Sequence, residues 1–165
     1  MVEYTNILFC TDYSEDANIA FLHALNLARK YGAKLYILHV PHSPFQYAKN
    51  VVDEDIPAGK STDGQTFYDQ GVMDEALTKL KNIYEGKMQG FESYEFVVAC
   101  GAPDIEIIRY AKKNNIDLIV MGALGKSDLD DPDRGSTVAR VSKYAHCHVM
   151  AIRNPLKQFT LPILG

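Results

Sequence analysis

The chain lacks any apolar run near the roughly 18 residues a membrane-spanning helix needs, so it offers no candidate span. It also lacks a basic run, and its 165 residues carry a formal net charge of −4, which removes any general attraction to nucleic acid or anionic membranes. The opening Met1-Val-Glu-Tyr-Thr-Asn6 has no basic start before a long apolar segment, the mark of a secretory leader. Cysteine is scarce: Cys10, Cys100 and Cys147 are odd in number and far apart, each in an apolar, strand-like run, which reads as buried free thiols and not a disulfide framework. A reducing, cytoplasmic setting is the expectation. What is present is ordinary for a globular chain, 47% hydrophobic and 23% charged, enough for one domain over residues 1–165 that buries roughly 70% of its unfolded surface.

The apolar pattern alternates between two periods. Asn6–Thr11 is a short strand, and from Ser14 the residues Ala17, Ala20, Phe21, Ala24, Leu25 and Ala28 recur at helical spacing, with Ser14 as N-cap and Gly32 as stop. Lys34–Val40 is a second strand. The stretch from Pro41 to Gln70, rich in Pro, Gly and polar residues, predicts a long variable loop that either covers a ligand or is simply mobile. A helix over Gly71–Lys87, a strand over Tyr94–Ala99, a helix opened by Pro103, a strand from Asp117 to Met121, a short helix over Ser136–Ala145 and a strand over Cys147–Ile152 complete the pattern. Five strands alternating with four helices demand an α/β, doubly wound, Rossmann-like parallel sheet covered on both faces, in the order 3-2-1-4-5. That order puts Asp12, after strand 1, beside Gly122, after strand 4, at the point where ligands bind in such sheets.

Gly122-Ala-Leu-Gly125 and, nine residues later, Gly135-Ser136-Thr137 form the most distinctive motif. Glycine lets a backbone turn sharply and approach an anion closely, and Gly135, Ser136 and Thr137 open a helix whose free N–H groups and dipole favour phosphate. Asp12 accepts hydrogen bonds only, which suits a ribose or base and not a phosphate; the alternative is a cap on the turn before Ser14.

With these residues in view, the chain resembles the universal stress protein family, in particular its ATP-binding branch with the signature G-x2-G-x9-G-[S/T]. The similarity runs from Asn6-Ile-Leu-Phe-Cys-Thr-Asp12 through Leu38-His-Val40 and Ile119-Val-Met-Gly122 to Cys147-His-Val149. It implies adenosine at Asp12 and the backbone of Val40, ribose near Gly122, and phosphates lined by Gly125, Gly135, Ser136 and the N–H of Thr137. The ligand so implied is ATP or AMP, and the role is that of a stress-response regulatory protein whose occupancy modulates dimer or partner interactions. The resemblance further implies a homodimer through the last strand, 147–152. Alternatives are a slow Mg-dependent ATPase and a nucleotide-free dimeric interaction module.

Three features stand apart from the family pattern. The linker Lys126–Arg134 carries Asp128, Asp130, Asp131 and Asp133, either a solvated loop or in part a Mg²⁺ platform that would offset their repulsion of phosphate. His146 and His148 flank Cys147 and share a strand face, which suits surface or dimer-edge histidines better than a metal site lacking a fourth ligand. The tail, 153–165, interleaves Phe159, Leu161, Ile163 and Leu164 with Pro155 and Pro162; it either embraces a neighbouring subunit, or packs on its own domain or stays disordered.

Overall fold

The computed structural model describes residues 1–41, 63–124 and 136–156, with residues 63–69 in backbone only. In chain order the elements are β1 (Asn6–Cys10), α1 (Glu15–Tyr31), β2 (Lys34–His39), α2 (Asp63–Tyr84) with a 3-10 turn at Glu85–Lys87, β3 (Tyr94–Val98), α3 (Pro103–Lys113), β4 (Leu118–Gly122), α4 (Thr137–Tyr144) and β5 (His148–Ile152). All four strand pairs are parallel, and the sheet order is β3-β2-β1-β4-β5, as the alternation predicts.

Alternation along each strand divides the core into two layers. Ile7 and Phe9 of β1, Leu35 and Ile37 of β2, and Leu118 and Val120 of β4 meet the Ala20, Ala24, Ala28 stripe of α1 and Leu80 and Tyr84 of α2. The intervening residues Leu8, Leu38, Ile119 and Met121 face Ile107 and Ala111 of α3 and Val141 of α4. Both faces are therefore apolar, as a parallel sheet requires, and each fully buried large side chain contributes about 1.5–3 kcal/mol. The central strands β1 and β4 are almost wholly buried, whereas the edge strands β3 and β5 are half-exposed.

Helix ends follow local chemistry. Ser14 caps α1 by accepting from the Ala17 N–H at 3.2 Å, and Gly32, at φ 65°, ends it in the left-handed conformation while its N–H reaches the carbonyls of Ala28 and Arg29. Pro103 occupies the first turn of α3. At the amino ends of the strands, the Asp117 carboxylate accepts from the Thr5 N–H at 2.8 Å, the Thr5 hydroxyl at 2.7 Å and the Asn6 N–H at 3.2 Å. This cluster holds β1 and β4 in register.

Two expectations need correction. Of the loop expected over 41–70, the part from Asp63 onward is helical, because α2 begins there and runs through Gly64 and Gly71, while residues 42–62 lie outside the described residues. Each interior glycine costs about 1 kcal/mol relative to alanine, but propagation of an anchored helix adds a hydrogen bond per residue, and an acid in the first turn is favoured by the helix dipole. The thiols also differ: Cys10 is buried, Cys147 is half-buried and Cys100 is exposed, since it lies two residues past the end of β3. Burial raises the Cys10 thiol far above its ordinary pKa, with a smaller contribution from Cys147, so it stays protonated.

Candidate crevice at the carboxyl ends of the strands

Cys10 at the end of β1 is in register with Leu38 of β2 and with Met121 of β4. The residues that follow, Thr11-Asp12, His39-Val40 and Gly122, therefore come together where the crossovers diverge to opposite sides of β1. Asp12, Val40 and Gly122 thus stand at the carboxyl ends of the neighbouring strands β1, β2 and β4.

The turn out of β1 is tight. Tyr13 adopts φ 62°, costly for a residue with a Cβ, and a set of bonds holds it there. The Thr11 hydroxyl accepts from the Tyr13 N–H at 3.0 Å, and Asp12 Oδ1 accepts from the Ser14 N–H at 3.0 Å. Asp12 thus makes the cap considered from sequence. Tyr84 of α2 donates to Asn18 at 3.2 Å, so Thr11, 2.6 Å from the Tyr84 oxygen, is the donor in that contact. The Thr11 carbonyl can only accept, which puts the proton of His39 on Nδ1, 2.8 Å away. The Tyr13 and His39 ring centroids lie 4.5 Å apart, and the Lys79 ammonium stands over the Tyr13 ring, 4.4 Å from its centroid. Burial, and then Tyr84, push the Tyr13 phenol up to about 12, and its buried oxygen has no hydrogen-bond partner among the described residues.

Val40 packs its side chain into the α3/α4 layer at 8% exposure, so only its backbone is available to a ligand. Gly122 has a different rationale from the one its motif suggests. A Cβ there would stand 2.8 Å from the Ala17 amide nitrogen and 2.9 Å from Asp16 Cβ, so the glycine admits the first turn of α1 against β4, and no positive φ is involved. At the other end of the motif, Ser136 is the N-cap of α4, its hydroxyl oxygen accepting from the Ala139 N–H at 3.2 Å. The N–H groups of Thr137 and Val138 are left without an intrahelical acceptor, and the Ser136 hydroxyl keeps its proton to donate. Gly125 and Gly135, with Asp128, Asp130, Asp131 and Asp133, lie outside the described residues. So does the tail beyond Leu156.

Asp16 lies in the first turn of α1, where the helix dipole alone would account for an acid. It is in fact fully buried. Its Oδ2 accepts from the Leu124 N–H and its Oδ1 from the Asn154 N–H, both at 3.1 Å. The signal was available: position 16 is in phase with Ala20, Ala24 and Ala28 on the buried stripe. His146 and His148 are both exposed, and His148 Nδ1 lies 3.3 Å from the Tyr4 hydroxyl. Among the described residues no three His, Cys, Asp or Glu side chains gather to hold a metal ion.

A five-stranded parallel sheet in the order β3-β2-β1-β4-β5, covered by helices on both faces, defines a doubly wound, Rossmann-like α/β domain. The chain belongs to the universal stress protein family, whose model matches residues 3–153. It is 34% identical over 160 residues to the universal stress protein MJ0531 of Methanocaldococcus jannaschii, covering 94% of this chain and 85% of that one. The solved structure of MJ0577, from the same organism, is similar with a TM-score of 0.71 and 26% identity, covering 94% of this chain and all of the other. A universal stress protein crystallised in complex with cAMP shares the fold at a TM-score of 0.57 and 22% identity, covering 92% of this chain and 98% of that one.

Proposed function

We propose that this protein binds an adenine nucleotide, ATP or AMP, in the crevice at the ends of β1, β2 and β4, and that occupancy regulates its interactions with a protein partner in a cytoplasmic stress response. The observation that carries this reading is the convergence of Asp12, the Val40 backbone and Gly122 at the switch point. Asp12 and Val40 would receive adenosine, Gly122 would border the ribose, and Gly125, Gly135, Ser136 and the N–H of Thr137 would line the phosphates. The capped start of α4 favours an anion by its dipole and its two spare N–H groups, each charge-assisted bond contributing about 1.5–3 kcal/mol. The cAMP held by a protein of the same fold is of the ligand class proposed. A homodimer through residues 147–152 is part of the proposal, supported by the place of β5 at the edge of the sheet. Mg²⁺ would accompany ATP, with Asp128 and Asp130 of the acidic linker as candidates to meet it.

The test is calorimetric titration of ATP, ADP and AMP, with and without Mg²⁺, into nucleotide-free protein, repeated on Gly125→Val and Gly135→Val. Micromolar binding that falls at least tenfold in folded variants is expected. Unchanged binding in those variants would overturn the site assignment.

A further inference from the structure

Among the described residues β3 is paired on one side only, with β2. The Leu35 N–H donates to the Ser93 carbonyl at 2.9 Å, and the Ala99 N–H to the His39 carbonyl at 3.2 Å. In a parallel ladder alternate residues bond the same neighbour, so Glu95 and Val97 turn their backbone groups toward β2 while Phe96 and Val98 turn theirs away. The two N–H and two C=O groups so exposed have no hydrogen-bond partner among the described residues. Such an edge is a template for another strand unless something covers it.

Here the edge is flanked by walls. A cavity of about 440 Å³ lies along residues 95–98, with Met73 and Leu77 of α2 on one side and Tyr110 and Lys113 of α3 on the other. The walls differ in chemistry. Phe96 and Val98 belong to the α2 layer, so a side chain entering there meets an apolar surface. Glu95 alternates with them and shares the α3 side with Val97, Tyr110 and Lys113. Glu95 is already joined to Lys34 at 2.7 Å, whereas Lys113 forms no ion pair among the described residues. The charge left unpaired on the α3 side is therefore positive.

We propose that this groove binds an extended segment of a partner protein, which joins the sheet as a further strand beside β3. Main-chain bonds to Phe96 and Val98 give affinity with little regard to sequence, and the two walls give specificity. Successive side chains of a strand point to opposite faces. The segment therefore places apolar residues on the α2 side and polar ones on the α3 side, with an acidic residue opposite Lys113. A second copy of this chain fits less well, since its own β3 is set between the same two helix walls. The groove lies at the edge of the sheet opposite β5 and away from the ends of β1 and β4, so the proposal does not depend on the nucleotide reading.

The probe is a capped pentapeptide alternating valine and glutamate, titrated into the full chain and followed by amide hydrogen exchange. With peptide at about ten times its dissociation constant, exchange at Phe96 and Val98 should slow about tenfold, since about one molecule in eleven remains open. Side-chain docking without strand addition would leave those two amides unmoved. Lysine in place of glutamate should weaken binding about fivefold, within reach of one exposed ion pair. Lys113→Glu, a change at an exposed position, should reverse that preference. The proposal is overturned if millimolar peptide leaves both amides unchanged, or if the preference for glutamate survives in Lys113→Glu. It is overturned equally if both amides are protected in peptide-free protein and open on dilution, which would give the edge to a second copy.

Discussion

Replacing Gly122 by alanine separates two reasons for a glycine at the end of β4. A Cβ would stand 2.8 Å from the Ala17 nitrogen and 2.9 Å from Asp16 Cβ, roughly half an ångström inside ordinary contact. Both atoms belong to the first turn of α1 and cannot swing aside as the tip of a long side chain can. Overpacking of this kind costs about 1–3 kcal/mol. Moving the turn also stretches the bonds from Leu124 and Asn154 to Asp16, each worth about 1.5–3 kcal/mol when lost outright. A partial loss brings the expected total to about 2–4 kcal/mol, a large share of a stability of about 5–15 kcal/mol. Urea unfolding measures it directly: with a slope of about 2 kcal/mol per molar, the midpoint should fall by about 1–2 M at unchanged slope. A loss below about 0.5 kcal/mol would refute the packing argument. If nucleotide affinity then fell in a protein of unchanged stability, the glycine would be there for the ligand alone.

Tyr13→Phe removes a buried phenol oxygen that has no hydrogen-bond partner among the described residues, and should raise stability by about 1 kcal/mol in the same assay. It should also flatten the alkaline limb. The phenol is pushed up to about 12 from an ordinary 10, so as pH rises through that window the unfolded chain has lost a proton that the folded one keeps, and stability held below about pH 10 declines. Identical pH slopes in the variant would rule out Tyr13 as a source of that decline. Ser136→Ala deletes the acceptor for the Ala139 N–H and should cost about 1 kcal/mol of stability. It should also weaken ATP binding; normal affinity in that variant would exclude its hydroxyl from the phosphate site.

The alternation of periods made the sheet legible, because each strand had to be apolar on both faces and each helix on one stripe. Ser14, Gly32, Pro103 and Ser136 were legible because caps and stops act locally. The start of α2 was not: Asp63-Gly64 reads as a turn, and only the anchored helix beyond it carries the chain through two glycines. Asp16 was hidden for another reason. An acid in a first turn has a sufficient local explanation in the dipole, and its real partners, Leu124 and Asn154, lie more than a hundred residues away. Asp12 falls between these cases, since its cap was foreseeable from Ser14 while its place beside Gly122 depended on strand order.

The Asp117 cluster at the foot of β1 and β4 acquires a mechanical meaning once the other end is considered, where Asp16 of α1, the helix that follows β1, holds the turn after β4. Below, one carboxylate grips Thr5 and Asn6; above, another fastens the turn after β4 to the chain leaving β5. A seam riveted at both ends does not fan open like a book. The floor formed by the ends of β1 and β4 is therefore an anvil of constant width.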